Sequence, residues 1–156
     1  MPTDKLREFL QAHKVKYVTI SHSPAYTVQE IAASAHISGN ELAKTVIVRI
    51  GPKMAMLVLP ASYRLDFGLL KRAIGFDEVR LATEEEFKGL FPDCEVGAMP
   101  PFGNLYGLDV YVAESLTFND EIAFNAGHHH ELIKMSYEDY EDLVAPEVLA
   151  FSTKAQ

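Results

Sequence analysis

The sequence predicts an α+β fold, with a mixed, largely antiparallel sheet and helices packed against it. Three observations predict it. Two strand-like runs, "TVIVRI" (45–50) and "MAMLVLP" (54–60), are separated only by "GPK", and Gly51-Pro52 punctuates them as a hairpin. Three further runs, "GLDVYVAE" (107–114), "EIAFNAG" (121–127) and "ELIKMS" (131–136), follow one another without the helical crossover that a regular parallel βαβ wind requires. Helix signals flank these runs instead of alternating with them.

The chain opens on a helix. Thr3 can cap it, Asp4 lies in its first turn, and Leu6, Phe9 and Leu10 form one apolar stripe. "KYVTIS" (16–21) is a short β-branched strand. "TVQE" (27–30) fits a capping box, and the helix it starts carries Val28, Ile31, Ala32 and Ala35 before "SGN" (38–40) ends it. Neither strand of the hairpin alternates cleanly, so both are expected to be covered on two sides. "DFGLLKRAIG" (66–75) reads as a helix closed by Gly75, and "TEEEF" (83–87) opens a short one. The last helix begins at Ser136 in "SYEDYEDLV" (136–144), and the closing "FSTKAQ" is expected to fray.

A chain of 156 residues without repeats or linkers is expected to form one domain, 1–156, and can bury a core without disulfides. Its 48% hydrophobic and 23% charged residues are those of an ordinary globular protein. One cysteine, Cys94, rules out an internal disulfide. No run approaches the roughly 18 apolar residues of a membrane span, and the charged start has no signal-like core. The expectation is a cytoplasmic protein with no membrane partner. The net charge of −8 argues against a sequence-independent nucleic-acid binder, but not against a protein that grips only a nucleic-acid end. Local basic residues exist at Lys53, Arg64, Lys71, Arg72 and Arg80.

Four stretches could carry chemistry. Asn40 and Lys44 share a face if 40–44 form a helical turn; the alternative is a loop asparagine and a lysine that reaches solvent. "GAMPPFG" (97–103) combines two glycines with two prolines. That is a stiff loop able to present the N–H groups of Ala98 and Met99 to a small polar group or a developing oxyanion, or an ordinary tight connection. "NAGHHHELIKM" (125–135) suggests metal at first glance. In a strand, however, only His128 and His130 share a side, and no further ligand pattern accompanies them, so no metal and no cofactor is expected. His129 shares its face with Ile133 and Met135, and with Glu131. In "SHSPAYT" (21–27), His22 and Tyr26 flank a turn that feeds a helix start, which binds anions or is simply capped. Cys94 has no nearby base and reads as structural, and neither a G-x-S-x-G elbow nor a phosphate loop is present.

Taken in order, "HSPAYT", "AKTVIV", "GAMPPFG" and "NAGHHHELIKMSYEDYEDLV" resemble the YbaK/ProX family of aminoacyl-tRNA deacylases, which includes the editing insertion of bacterial prolyl-tRNA synthetases. The resemblance covers about residues 3–145 and implies a barrel-like version of the sheet. The family's lysine falls on Lys44, and its glycine-x-x-x-proline loop on Gly97 and Pro101. Asn40 four residues before Lys44, with a late histidine at His129 or His130, is similar to the free-standing enzymes that remove alanine from proline tRNA; the face argument selects His129. The cysteine-removing branch has Gly-Lys-Arg-Gly-type sequence where this chain has Gly127-His128-His129-His130.

The resemblance implies a mechanism. Lys44 holds a phosphate of the terminal nucleotide and orients the ester. The N–H groups of 97–101 receive the oxyanion while water attacks, with no protein nucleophile, and a ribose hydroxyl assists. Asn40 contacts the ribose or the amino acid, His129 shapes the pocket, and His22 and Tyr26 border it. An alanine-sized pocket excludes proline by size. The implied partners are the tRNA acceptor end and prolyl-tRNA synthetase. A non-catalytic aminoacyl-tRNA or nucleotide-end binding module, a deacylase for cysteine, serine or threonine, and a metal hydrolase built on the histidines are the other readings.

Overall fold

A computed structural model describes residues 4–21, 30, 33–34, 36–95, 97–129 and 131–154. In chain order the elements are α1 (Asp4–Ala12), β1 (Tyr17–Ser21), β2 (Ala43–Ile50), β3 (Lys53–Pro60), β4 (Tyr63–Leu65), α2 (Phe67–Ile74), β5 (Val79–Leu81), α3 (Glu84–Phe87), β6 (Asp109–Ala113), β7 (Glu121–Asn125), β8 (Glu131–Ser136), α4 (Tyr137–Val144), β9 (Glu147–Leu149) and β10 (Ser152–Lys154). Short 3₁₀ turns lie at Lys88–Leu90, Gly103–Tyr106 and Glu114–Phe118.

A five-stranded sheet, in the order β5-β2-β3-β6-β9, is the centre of the fold. The expected hairpin joins β2 and β3 in register from Ala43↔Pro60 to Ile50↔Lys53, and Gly51 takes φ +60° at its turn. A second, antiparallel sheet has the order β1-β8-β7, and a parallel bridge between Leu42 and Ala123 connects the two. The hairpin is covered on both faces, as its unbroken apolar runs predict. Ala43, Ile47, Met56 and Val58 face a core shared with Leu6 and Leu10 of α1, Phe102, Phe124, Ile133 and Tyr140. Val48, Leu57 and Leu59 face a second core with Leu70 of α2 and Phe151.

The local helix signals act as their chemistry predicts. Asp66 accepts from the Leu69 N–H at 3.0 Å and Gly75 closes α2 at φ +76°. Thr83 and Glu86 form a capping box, and Ser136 caps α4. The Thr3 cap and the Thr27 capping box lie outside the described residues; of the helix expected after Thr27, Glu30, Ala33 and Ser34 are described and helical.

The pairing is mixed and largely antiparallel, as expected: among the described residues β3–β6 and β6–β9 pair in parallel and the other strand pairs are antiparallel. The strand expected over 107–114 starts later, since Gly107 caps a 3₁₀ turn at φ +73°. The described part of the C-terminal stretch does not fray: Ser152–Lys154 pairs with β4, and fully buried Phe151 anchors it. The three-residue strands β4, β5, β9 and β10 are too short to display a period in sequence.

Candidate active site

Lys44 is the second residue of β2, not part of a helical turn. Asn40 instead sits in the preceding turn. Its Oδ1 accepts from the Ser62 hydroxyl at 2.6 Å and its carbonyl from Asn119 Nδ2 at 2.8 Å. The shared helical face expected for Asn40 and Lys44 therefore does not form: β2 extends to Ala43, because Ala43 and Lys44 pair with Pro60 and Leu59. The Lys44 side chain is half-buried. Burial, then the nearby charge of Arg64, lower its pKa from the ordinary lysine value. Arg64 follows directly from the β3 end that pairs with Lys44, so two cations from separate strands stand near each other.

One edge of β2 is bonded to β3 throughout. The other meets β5 only from Val48 onward, with the Ala82 N–H donating to the Ile47 carbonyl at 2.9 Å. Upstream it meets β7 at the Leu42–Ala123 bridge. Between these points, residues 43–46 have no strand partner on that edge among the described residues. The 97–101 loop reaches β2 here: the Thr45 hydroxyl donates to the Met99 carbonyl at 3.1 Å.

The loop is tied down mainly by its carbonyls. Ala98 O accepts from the Gly127 N–H at 2.9 Å, Met99 O from Thr45, Pro100 O from the Phe102 N–H at 2.7 Å, and Pro101 O from the Tyr140 hydroxyl at 2.7 Å. Complete burial pushes the Tyr140 phenol well above its ordinary pKa, so it remains a donor. Prolines 100 and 101 have no N–H. The Ala98 N–H, expected as an oxyanion donor, is already given to the Glu95 carbonyl at 3.0 Å. That leaves the N–H groups of Gly97 and Met99 without a protein acceptor among the described residues. Met99 is only 5% exposed, so water is a poor substitute there.

The turn between β7 and β8 locks the loop from the other side. The Glu95 N–H donates to the Gly127 carbonyl at 2.8 Å. The Glu95 carboxylate accepts the His129 N–H at 3.1 Å and lies 3.3 Å from His128 Nδ1. These contacts, the His129 N–H first, hold Glu95 below the usual carboxylate range. Gly97 takes φ +84°, and a Cβ there would lie 3.3 Å from His129 Cε1. His129 thus borders Gly97, but not for the reason the strand pattern suggested. It is exposed and in a turn, because β8 begins only at Glu131, and alternation does not extend back to it. Glu131, by contrast, is 2% exposed.

His22, Tyr26 and His130 lie outside the described residues. Among the described residues, no group of three or more His, Cys, Asp or Glu side chains could hold a metal ion, and no helix is long and apolar enough to cross a membrane. Cys94 packs beside Tyr106, and burial pushes its thiol up to about 11, which suits a structural residue rather than a nucleophile. Sequence reasoning did not assign Thr45, Glu95 or Arg64. Thr45, a hydroxyl inside an apolar strand, was the legible one; nothing local marks Glu95.

Comparison with known proteins adds a family, two relatives and two solved structures. A model of the aminoacyl-tRNA editing domain family matches residues 22–143. The prolyl-tRNA editing protein ProX of Acetoanaerobium sticklandii is 24% identical over 137 residues, covering 84% of this chain and 83% of its own. The proline–tRNA ligase of Bacillus mycoides is 26% identical over 76 residues, which is 49% of this chain but 13% of the ligase. Among solved structures, the hypothetical protein APE2540 superposes with a TM-score of 0.84 at 26% identity, over 96% of this chain and all of its own. A protein provisionally described as a trans-editing enzyme for prolyl tRNA synthetase superposes with a TM-score of 0.82 at 21% identity, over 96% and 95% of the two chains, and so shares the fold.

Proposed function

The chain belongs to the aminoacyl-tRNA editing domain family, and from that premise we propose that it hydrolyses the ester of mischarged aminoacyl-tRNA in trans, releasing alanine from proline tRNA. The observation that carries this reading is a loop whose four carbonyls at 98–101 are all engaged while two N–H groups remain unspent, at the open edge of β2. Two unspent N–H groups in one stiff loop suit an oxygen that gains negative charge.

In this mechanism a water oxygen attacks the ester carbonyl carbon. The carbonyl oxygen becomes an oxyanion held by the Gly97 and Met99 N–H groups. Collapse breaks the bond between the carbonyl carbon and the ribose oxygen, and the proton lost by water ends on that ribose oxygen. Lys44, with Arg64 beside it, holds the phosphate of the terminal nucleotide and so fixes the ester against the loop. Asn40 and His129 border the substrate, and His22 and Tyr26, outside the described residues, are assigned to substrate binding on the sequence motif alone. Selection against proline is by size: a pocket fitted to alanine excludes the larger ring, which small differences in apolar binding energy could not achieve alone. The proposed setting is the cytoplasm, with the tRNA acceptor end as partner and prolyl-tRNA synthetase as the enzyme whose errors it clears.

The decisive experiment is a deacylation panel: alanine, serine, threonine and cysteine, each on proline tRNA and on its cognate tRNA, with wild type and Lys44→Ala. Fastest release of alanine from proline tRNA, lost in the variant, is the expected result. Tight, saturable binding without turnover on any charged tRNA would establish a binding module instead.

A further inference from the structure

We propose that Asn125 is a substrate-contacting residue whose side-chain amide oxygen accepts a hydrogen bond from the ribose hydroxyl next to the scissile ester. This rests on the editing reading above, and it concerns a residue to which the mechanism so far gives no role.

Asn125 is the last residue of β7, immediately before the turn that holds the 97–101 loop. Its Oδ1 is withdrawn from water and has no hydrogen-bond partner among the described residues. An amide oxygen in that condition costs stability, so folds rarely leave one without a purpose. Its position supplies the purpose. Leu42 and Ala123 form a parallel bridge. Two residues further along the two chains stand Lys44 and Asn125, and strand alternation puts their side chains on the same side as Leu42 and Ala123. Leu132, the register partner of Asn125, belongs to the same small apolar cluster as Leu42 and Ala123, which fixes the side on which Asn125 lies.

The chemistry of the ligand follows from the neighbours. An acceptor at this place calls for an O–H or an N–H. The substrate's α-ammonium group would be repelled by Lys44 and Arg64 nearby. A ribose hydroxyl is neutral, and it belongs to the same nucleotide as the phosphate that Lys44 would hold. Asn125 is itself only half-buried, and the broad χ2 preference of an asparagine amide lets a small rotation turn the oxygen toward an incoming hydroxyl.

The test measures binding and does not depend on turnover. The probes are 3′-alanylamino-3′-deoxyadenosine 5′-phosphate, whose amide link resists hydrolysis, and the same compound lacking the 2′-hydroxyl. Wild type is expected to bind the hydroxylated probe about three- to tenfold more tightly, the range of one neutral hydrogen bond. Asn125→Ala should bind both probes equally. Asn125→Asp keeps an oxygen at the same place and should keep the preference even as its added charge weakens binding of both. A preference that survives in Asn125→Ala, or none in wild type, overturns the assignment while leaving the deacylase reading in place. Failure of wild type to bind either probe overturns both. A thermal melt of each variant establishes that the binding data come from folded protein.

Discussion

Lys44 and Thr45 are neighbours on one strand, yet they serve opposite faces of it. Thr45 shares its face with Ala43 and Ile47 and fastens the loop through the Met99 carbonyl. Lys44 shares its face with Leu59 and stands near Arg64. One face provides neutral, fixed dipoles; the other provides permanent positive charge that burial has made costly. The difference separates two tasks that the proposed ester cleavage requires. A standing charge on a phosphate is best met by a standing counter-charge, whereas charge that exists only in the transition state is best met by dipoles that need no reorganisation.

The largest effect that would break this division is expected on the charged face. Lys44→Ala should lower deacylation kcat/KM by roughly 100-fold, the scale of a misplaced substrate, with little change in Tm; unchanged turnover would remove Lys44 from the mechanism. Next comes Gly97→Ala on the dipole face. The backbone is at φ +84° and the new methyl meets His129, so stability should fall by about 1–2 kcal/mol, and kcat should fall more than substrate affinity. Thr45→Val sharpens the same point with a smaller lesion. The Met99 carbonyl loses its donor, which costs about 1–3 kcal/mol in denaturant titrations, and kcat should drop several-fold with KM nearly unchanged because the charged face is intact. If KM rises instead, the two faces are not separate. Salt dependence reads the charged face alone: with a net charge of −8 and about two cations on phosphate, log K should fall with log salt at a slope of only about −1 to −2.

The smallest effect is expected away from both faces. Glu86 pairs with Arg80 at 2.8 Å and caps α3. The Arg80 hydrogen bond, then the Thr83 backbone, bring its carboxyl down to about 2 from 4.5. The folded state therefore favours the ionised form. That stabilisation is fully present above pH 4.5 and is lost as pH falls toward 2. Glu86→Gln should leave deacylation untouched and narrow its stability gap from wild type only across that acid window, as acid denaturation followed by circular dichroism would reveal.

What was legible in the sequence was mostly local. The Gly51-Pro52 hairpin and the caps at Asp66, Thr83 and Ser136 each depend on a few adjacent residues, so their chemistry is written where it acts. The ordered motifs identified the family for the same reason. What could not be read depends on distant pairings. Nothing near Ser152 announces β4 as its partner, and nothing in "GAMPPFG" reveals that Glu95 takes up the Ala98 N–H. The face argument for His129 does not hold: the residue borders Gly97 through a turn that strand periodicity does not describe. The helical turn over 40–44 failed because Pro60 and Leu59 extend the ladder to Ala43 and Lys44, a long-range gain that local spacing does not register.

The two unspent N–H groups of the 97–101 loop also bear on what happens after the bond is cut. In the proposed reaction hydrolysis turns the ester into a free carboxylate, and those two donors are hospitable to that anion. The liberated amino acid would therefore linger where it was made. Free amino acid of the kind released, added to the deacylation assay, is expected to compete with the charged tRNA for the same two N–H groups.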